Sequence, residues 1–242
     1  MKSKIIDNIK TIIYALIIAI IIRTLLFQPF YIPSSSMEPN LLVGDRLFVS
    51  KYTYGYSRHS FPFSPNLSNK RFFYEEPKRG DVIVFKTPVD DRTDYIKRLI
   101  GLPGDSIQFI DGSLYINGLE IKKDKVSSPK IVHCGNEKMK VLSFKEVLPN
   151  GVSYTAVYRN NSGYSNSDLF LVPNDHFFFL GDNRDCSKDS RFLGSVGYVN
   201  KRNLVGKARI IFFSNDKNFG NILKFWKLHN SLRIDRFFKK IK

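Results

Sequence analysis

Three consecutive serines, Ser34, Ser35 and Ser36, lie between Pro33 and the run Met37-Glu-Pro. A serine hydroxyl is a poor nucleophile until a base removes its proton. Two other segments carry groups relevant to that chemistry. Asp94-Tyr-Ile-Lys-Arg-Leu-Ile-Gly-Leu-Pro-Gly-Asp places Lys97 in an apolar, strand-like stretch just before a tight turn. Gly181-Asp-Asn-Arg-Asp-Cys-Ser-Lys-Asp-Ser-Arg is a dense polar loop directly after an apolar strand. Taken singly, each has an ordinary structural reading: a proline-flanked turn, a strand-end lysine and a hydrogen-bonded turn.

Several other chemistries lack their signatures. There is no G-x-S-x-G elbow, no P-loop and no H-E-x-x-H. The four histidines, His59, His133, His176 and His229, stand in no recognisable catalytic context. His133-Cys134 is too small a cluster for a zinc site, and neither a metal nor a cofactor is expected. Cys134 and Cys186, separated by 52 positions, fit no common metal pattern. A disulfide and a pair of unlinked thiols both remain open, and the default reading of Cys186 is a small space-filler.

Four segments together resemble the type I signal peptidase family, whose members are serine peptidases with a Ser-Lys dyad. They are P-S-x-S-M-x-P at Pro33 to Pro39, R-G-D-V-I-V-F at Arg79 to Phe85, K-R-x-I-G-L-P-G-D at Lys97 to Asp105, and G-D-N-R-D-x-S-x-D-S-R at Gly181 to Arg191. By position, the resemblance implies Ser36 as nucleophile and Lys97 as general base. It implies the Ser34 hydroxyl and the Ser36 backbone N–H as oxyanion donors. Ser187 would hydrogen-bond and orient Lys97, and Asp189 and Arg191 would pair to hold the loop. Ile32, Met37, Tyr95 and Ile96 would line shallow apolar pockets for small side chains, since the family cuts after small-x-small sequences such as Ala-x-Ala. Three positions depart from the family's usual residues: Ser35 for Gly, Asn40 for Thr and Cys186 for Asn. None removes a proposed catalytic group.

The physics of the lysine sets a requirement on its surroundings. Lys97 can act as base only when neutral. From a reference pKa of about 10.4, half-neutrality at pH 7 requires disfavouring the ammonium by about 4.6 kcal/mol. Burial against apolar neighbours can supply that. Tyr95, Ile96, Leu99 and Ile100 flank Lys97, whereas Arg98 points to the opposite face of a strand. A carboxylate beside the amine would undo the effect, so Asp182 and Asp185 are expected not to touch it.

The elements that must position these groups are mainly β. Leu47 to Ser50, Asp81 to Phe85, Tyr95 to Ile100, Phe177 to Leu180 and Ala208 to Phe213 read as strands. Asp111-Gly112 and Asn117-Gly118 read as two-residue hairpin turns between apolar alternations. Pro29 and Pro33 argue against helix through Gln28 to Pro39, and Tyr54 to Tyr74 reads as a long loop or a loose hairpin. The expected architecture is a catalytic β core, residues 28–121 and 168–215, with an inserted smaller β/loop lobe at 122–167. One N-terminal transmembrane helix precedes it, within a cytoplasmic tail and anchor at 1–27.

Thr11 to Ile22 is an uncharged apolar run, and counting from Ile5 to Phe27 gives a span-length segment containing Asp7, Lys10 and Arg23. No small-x-small cleavage site follows it, so an uncleaved anchor is expected. Lys2, Lys4 and Lys10 place the amino terminus in the cytoplasm and the catalytic domain on the outer, extracytoplasmic side of the cytoplasmic membrane. Ser36 follows Phe27 by nine residues, so it can reach no more than about 30 Å beyond it. The carboxy-terminal tail, 216–242, interleaves basic and aromatic residues. It reads as a membrane-surface element, with a solvated tail or an ordinary terminal helix packed on the core as the alternatives.

The formal charge is +16, with 38 Lys and Arg against 22 Asp and Glu. Such an excess favours anionic partners, and between membrane headgroups and nucleic acid it does not choose. The resemblance does choose: a membrane-bound serine endopeptidase that removes N-terminal signal peptides from exported preproteins. Its partners would be those secreted precursors and the lipid bilayer, with no nucleic acid.

Overall fold

The computed structural model describes residues 2–65, 70–135, 137–159, 165–216 and 231–242. The Ile- and Leu-rich amino terminus forms helix α1, Lys2–Ile21, which continues as a π-helical turn over Ile22–Leu26. Lys4–Leu26 is long and apolar enough to cross a membrane. Its large apolar side chains, Ile12, Leu16 and Ile20 among them, stay exposed. An apolar surface of that length needs a nonaqueous solvent.

Strand β1, Phe27–Tyr31, begins where the turn ends and lies at an edge of the main sheet. Pro29 is tolerated at an edge because its missing N–H breaks no central ladder. The extended, proline-rich segment expected there is therefore partly strand. The chain continues through β2 (Asp45–Ser50), β3 (Val82–Lys86) and β4 (Asp94–Gly101). After an intervening region come β12 (His176–Leu180), β13 (Val199–Asn200) and β14 (Leu204–Ser214). These seven strands form one curled sheet in the order β1-β2-β14-β3-β4-β12-β13, and a short β15, Lys239–Lys240, also pairs with β14.

Between β4 and β12 lie two smaller antiparallel sheets. One contains β5 (Ser106–Ile110), β6 (Ser113–Ile116), β7 (Leu119–Glu120) and β11 (Phe170–Leu171) in the order β11-β5-β6-β7. The Asp111-Gly112 and Asn117-Gly118 turns join β5 to β6 and β6 to β7, and all four residues have positive φ. That conformation is the one Asn-Gly and Asp-Gly favour in a tight hairpin. The other sheet is β10-β9-β8, from β8 (Lys122–Cys134), β9 (Glu137–Val147) and β10 (Ser153–Arg159).

One apolar cluster ties the two small sheets together and to the main one, with Phe109, Ile116, Tyr154, Phe170 and Phe178 among its members. The hairpin at 106–120 thus shares its core with the segment that follows it. A second cluster, including Ile32, Met37, Leu47, Val84 and Val205, lies behind the segment carrying the three serines.

The described end of the tail packs on the main sheet. Arg236 pairs with the buried Asp45 at 2.5 Å, and the Lys242 carbonyl accepts from Arg98 at 2.9 Å. The rest of the expected amphipathic tail, residues 217–230, lies outside the described residues.

Candidate active site

Lys97 occupies the middle of β4, opposite Ile83 of β3. The alternation of the strand turns its side chain to one face and that of Arg98 to the other. Arg98 is fully buried and makes a two-pronged ion pair with Asp182, 2.8 Å at each contact. Asn40 adds a hydrogen bond of 2.7 Å to Asp182. Asp185 accepts from the Arg159 backbone N–H at 2.7 Å. Asp182 and Asp185 are thereby engaged elsewhere, and neither hydrogen-bonds the Lys97 amine.

Ser36 lies in the turn after β1. Lys97 Nζ and Ser36 Oγ are 2.7 Å apart, and both residues are buried. The Lys97 amine also donates to the Ile96 carbonyl at 3.1 Å and lies 5.2 Å from the centre of the Tyr95 ring. Burial draws Lys97 down from the ordinary lysine value to about 8, against the opposing pull of Asp189 and Asp182. That pull leaves the amine mostly protonated at pH 7, where the sequence reading asked for half-neutrality. The cause is the pair of buried carboxylates a little farther off, Asp189 contributing more than Asp182.

The Ser34 hydroxyl lies 3.2 Å from Ser36 Oγ. The Ser36 backbone N–H donates to no acceptor among the described residues. The site thus carries one hydroxyl in contact with the Ser36 oxygen and one amide without an acceptor among the described residues.

The loop at 181–191 buttresses this arrangement. Arg191 grips Asp189 at 2.8 and 2.9 Å, and Asp189 accepts from the Gly181 N–H at 3.0 Å. Burial pushes the Asp189 carboxyl up, but the Arg191 guanidinium outweighs it and holds the carboxyl below its usual range. The expected hydrogen bond from Ser187 to Lys97 is not formed. Ser187 Oγ is buried beside Asp189, whose carboxyl it helps to lower, and the amine is met instead by the Ile96 carbonyl of its own strand.

A cleft of about 400 Å³ opens over Ser36 and Lys97, walled by Phe30, Ile32, Val84, Tyr95 and Ile96. Met37, expected in this wall, is not part of it. Its side chain is wholly buried in the cluster behind, against residues such as Leu41 and Leu47. Cys186 and Lys188 complete the rim. Cys186 is not a space-filling thiol, because it is disulfide-bonded to Cys134 at the end of β8. Spacing in sequence could not disclose this, since the pairing depends on β8 running back to the loop.

Two sets of residues important to this geometry went unrecognised in the sequence. Asn183 holds the serine turn from behind. Its N–H donates to the Ser36 carbonyl at 3.1 Å, and its side-chain amide donates to the Ser35 carbonyl and the His133 carbonyl, each at 3.2 Å. The only sequence signal for this was its place in the polar loop. Arg184 is fully buried against Glu146 of β9, with contacts of 2.6 and 2.9 Å, and against the hydroxyls of Tyr154 and Tyr158. This network bolts the loop to the β8–β10 sheet. Its partners lie more than 25 residues away in sequence, so no local pattern announces it. Among the described residues no group of three or more His, Cys, Asp or Glu is placed to hold a metal ion.

A family model described as "Signal peptidase, peptidase S26" matches residues 5–213. Signal peptidase I from Rickettsia typhi is 42% identical over 247 residues, covering 94% of this chain and 90% of that protein. Signal peptidase I from Rickettsia conorii is 42% identical over 248 residues with the same coverage. Among solved structures, a signal peptidase I from Enterococcus faecalis V583 matches at 30% identity and a TM-score of 0.32, over 55% of this chain and 97% of that one.

Proposed function

The chain belongs to the peptidase S26 family as an enzyme of the signal peptidase I type, and on that premise we propose that Ser36 is its nucleophile and Lys97 its general base. The observation that carries this reading is the 2.7 Å separation of Lys97 Nζ and Ser36 Oγ in a buried site, with Asp182 and Asp189 each held by an arginine. A neutral Lys97 accepts the Ser36 proton as Oγ attacks the scissile carbonyl. The Ser36 N–H and the Ser34 hydroxyl donate to the oxyanion that forms. The resulting Lys97 ammonium returns the proton to the leaving amine, which departs as the new amino terminus. Lys97 then takes a proton from water as it attacks the Ser36 ester, releasing the signal peptide and restoring the hydroxyl.

The cleft is apolar and shallow, with Ile32, Tyr95 and Ile96 crowding the dyad, which favours small side chains beside the cut bond. The substrates on this reading are exported preproteins cleaved after small-x-small sequences. The chain associates with the membrane through its amino-terminal helix. In the finer reading the helix crosses once, with Lys2, Lys4 and Lys10 on the cytoplasmic side. β1 starts directly after Leu26, so the dyad stands close to the outer bilayer surface, where the cleavage point of a membrane-held signal peptide emerges.

The test is cleavage of a membrane-inserted precursor by Ser36→Ala and Lys97→Ala proteins that remain folded and membrane-bound. Each should lose activity by a factor of about 10³ or more. Near-wild-type turnover of either would remove that residue from the dyad.

A further inference from the structure

A second cavity of about 370 Å³ opens beside the cleft, and the two share Phe30 and Asp94. It sits where the apolar helix ends, since Arg23 and Thr24 of the π-helical turn form part of its wall. Lys51, Lys86 and Arg92 bring further positive charge, against two carboxylates, Asp91 and Asp94.

Both carboxylates are already engaged. Asp91 pairs with Arg58 at 2.5 Å and accepts from Asn203 at 2.6 Å, and Asp94 pairs with Lys86 at 2.8 Å. Arg23 and Arg92 make no ion pair among the described residues. The Lys51 ammonium is buried and, among the described residues, donates only to the Ser60 carbonyl, at 2.6 Å. Burial first, and then the nearby Arg23 charge, draws Lys51 down to about 8. The Thr24 hydroxyl on the same wall is buried and has no hydrogen-bond partner among the described residues. His59 adds no charge at neutral pH, because burial pushes it down to about 4.

A cavity with surplus, mutually repelling cations is stabilised by an anion with several acceptor oxygens. Its position decides which anion. Arg23 belongs to the last turns of the span, and the exposed Phe61 and Phe63 stand on the same cavity, so its mouth lies at the height of lipid headgroups. We propose that this cavity binds the phosphate of an anionic phospholipid, with Arg23 and Arg92 pairing to its oxygens and Phe61 and Phe63 resting against its glycerol and upper acyl region. The site is distinct from the Ser36–Lys97 dyad, and the inference stands whether or not that dyad is catalytic.

The experiment uses the full chain in detergent micelles. Native mass spectrometry measures binding of phosphatidylglycerol, phosphatidylcholine and inorganic phosphate. Phosphatidylglycerol should bind with one tight equivalent, at least about tenfold tighter than phosphatidylcholine or inorganic phosphate. Each juxtamembrane cation contributes about fivefold to such binding, so Arg23→Gln with Arg92→Gln should weaken the tight equivalent by about 25-fold. Both residues are exposed, so the double variant should fold. Lys145→Gln, on an exposed position of β9, should leave binding unchanged. Equal binding of the two lipids, or an unaltered affinity in the double variant, would overturn the proposal. Inorganic phosphate binding as tightly as phosphatidylglycerol would also overturn it, by assigning the cavity to a free anion.

Discussion

Gly181 lies so close to Ser187 that a β-carbon built on it would stand 2.2 Å from the Ser187 hydroxyl oxygen and 2.5 Å from the Ser36 carbonyl oxygen. The glycine is required here by space rather than by backbone angle. Its missing side chain lets the polar loop and the serine turn touch, and this contact lets Asn183 reach the Ser36 carbonyl.

Replacing Gly181 by Ala should therefore displace Ser36, the proposed nucleophile. A methyl group forced into a closed interior costs about 1–3 kcal/mol, and a misplacement of about 1 Å costs about 10² in rate. Gly181→Ala should keep a cooperative thermal transition while kcat falls by about 100-fold, with a smaller change in KM. An unaltered kcat, measured on a soluble peptide substrate, would mean that the serine turn does not depend on this contact.

The lysine sets the pH dependence. With Lys97 near 8, the reactive neutral amine rises tenfold for each pH unit below that value and saturates above it. The profile of kcat/KM should accordingly climb with unit slope and level off near pH 8. Asp189 raises Lys97, so Asp189→Asn should move the midpoint to lower pH, even though loosening of the loop lowers the plateau. A midpoint that stays fixed or moves upward in this variant would show that the profile reports another group.

The same burial carries a stability consequence of definite sign. In the unfolded chain Lys97 titrates at its ordinary value of 10.5, and in the folded chain at about 8. Below pH 8 both states are protonated, and the fold bears the full cost of an ammonium in a dry site, about 3 kcal/mol. Between pH 8 and 10.5 the unfolded state binds more protons, so stability rises with pH there. Lys97→Met removes the cost. It should raise the melting temperature at pH 7 by about 6–12 °C and abolish the rise between pH 8 and 10.5. Equal melting temperatures for variant and wild type at pH 7 would contradict the burial argument.

Legibility in the sequence followed the range of the interactions. The amino-terminal apolar helix, the strands β2, β3, β4, β12 and β14 and the Asp111-Gly112 and Asn117-Gly118 hairpins are local patterns of hydrophobicity and turn chemistry, and they read directly, whereas β1, β13 and β15 did not. Ser36, Lys97, Asp189 and Arg191 were nominated by motif, and the motifs lie close together in space because β4 and β12 are neighbours in the sheet. What could not be read was pairing over distance. Arg184 with Glu146, Arg98 with Asp182 and Cys134 with Cys186 depend on how the β8–β10 sheet folds back onto the loop, and nothing in their own neighbourhoods encodes the partner. Met37 failed for a related reason. Its sequence position beside Ser36 does not say to which side of the turn its side chain goes, and the core behind took it.

The Cys134–Cys186 bond joins the far end of β8 to the loop that carries Ser187 and Asp189, and Cys186 itself lines the cleft. Closing a loop of 52 residues restricts the unfolded chain by about 4 kcal/mol on the chain-entropy account. The bond also fixes one rim of the site, because Asn183, three residues before Cys186, carries the serine turn. Cys134→Ser with Cys186→Ser should therefore lower the melting temperature by about 8–16 °C. It should also reduce kcat/KM on a short peptide more than a wholly distant destabilisation would, when measured well below the new transition. Treating the wild type with dithiothreitol should reproduce both effects, and reoxidation should reverse them. If reduction lowers the melting temperature but leaves kcat/KM intact at 20 °C, the bond stabilises the lobe without positioning the site. If neither quantity moves, the two thiols are not joined in the folded protein.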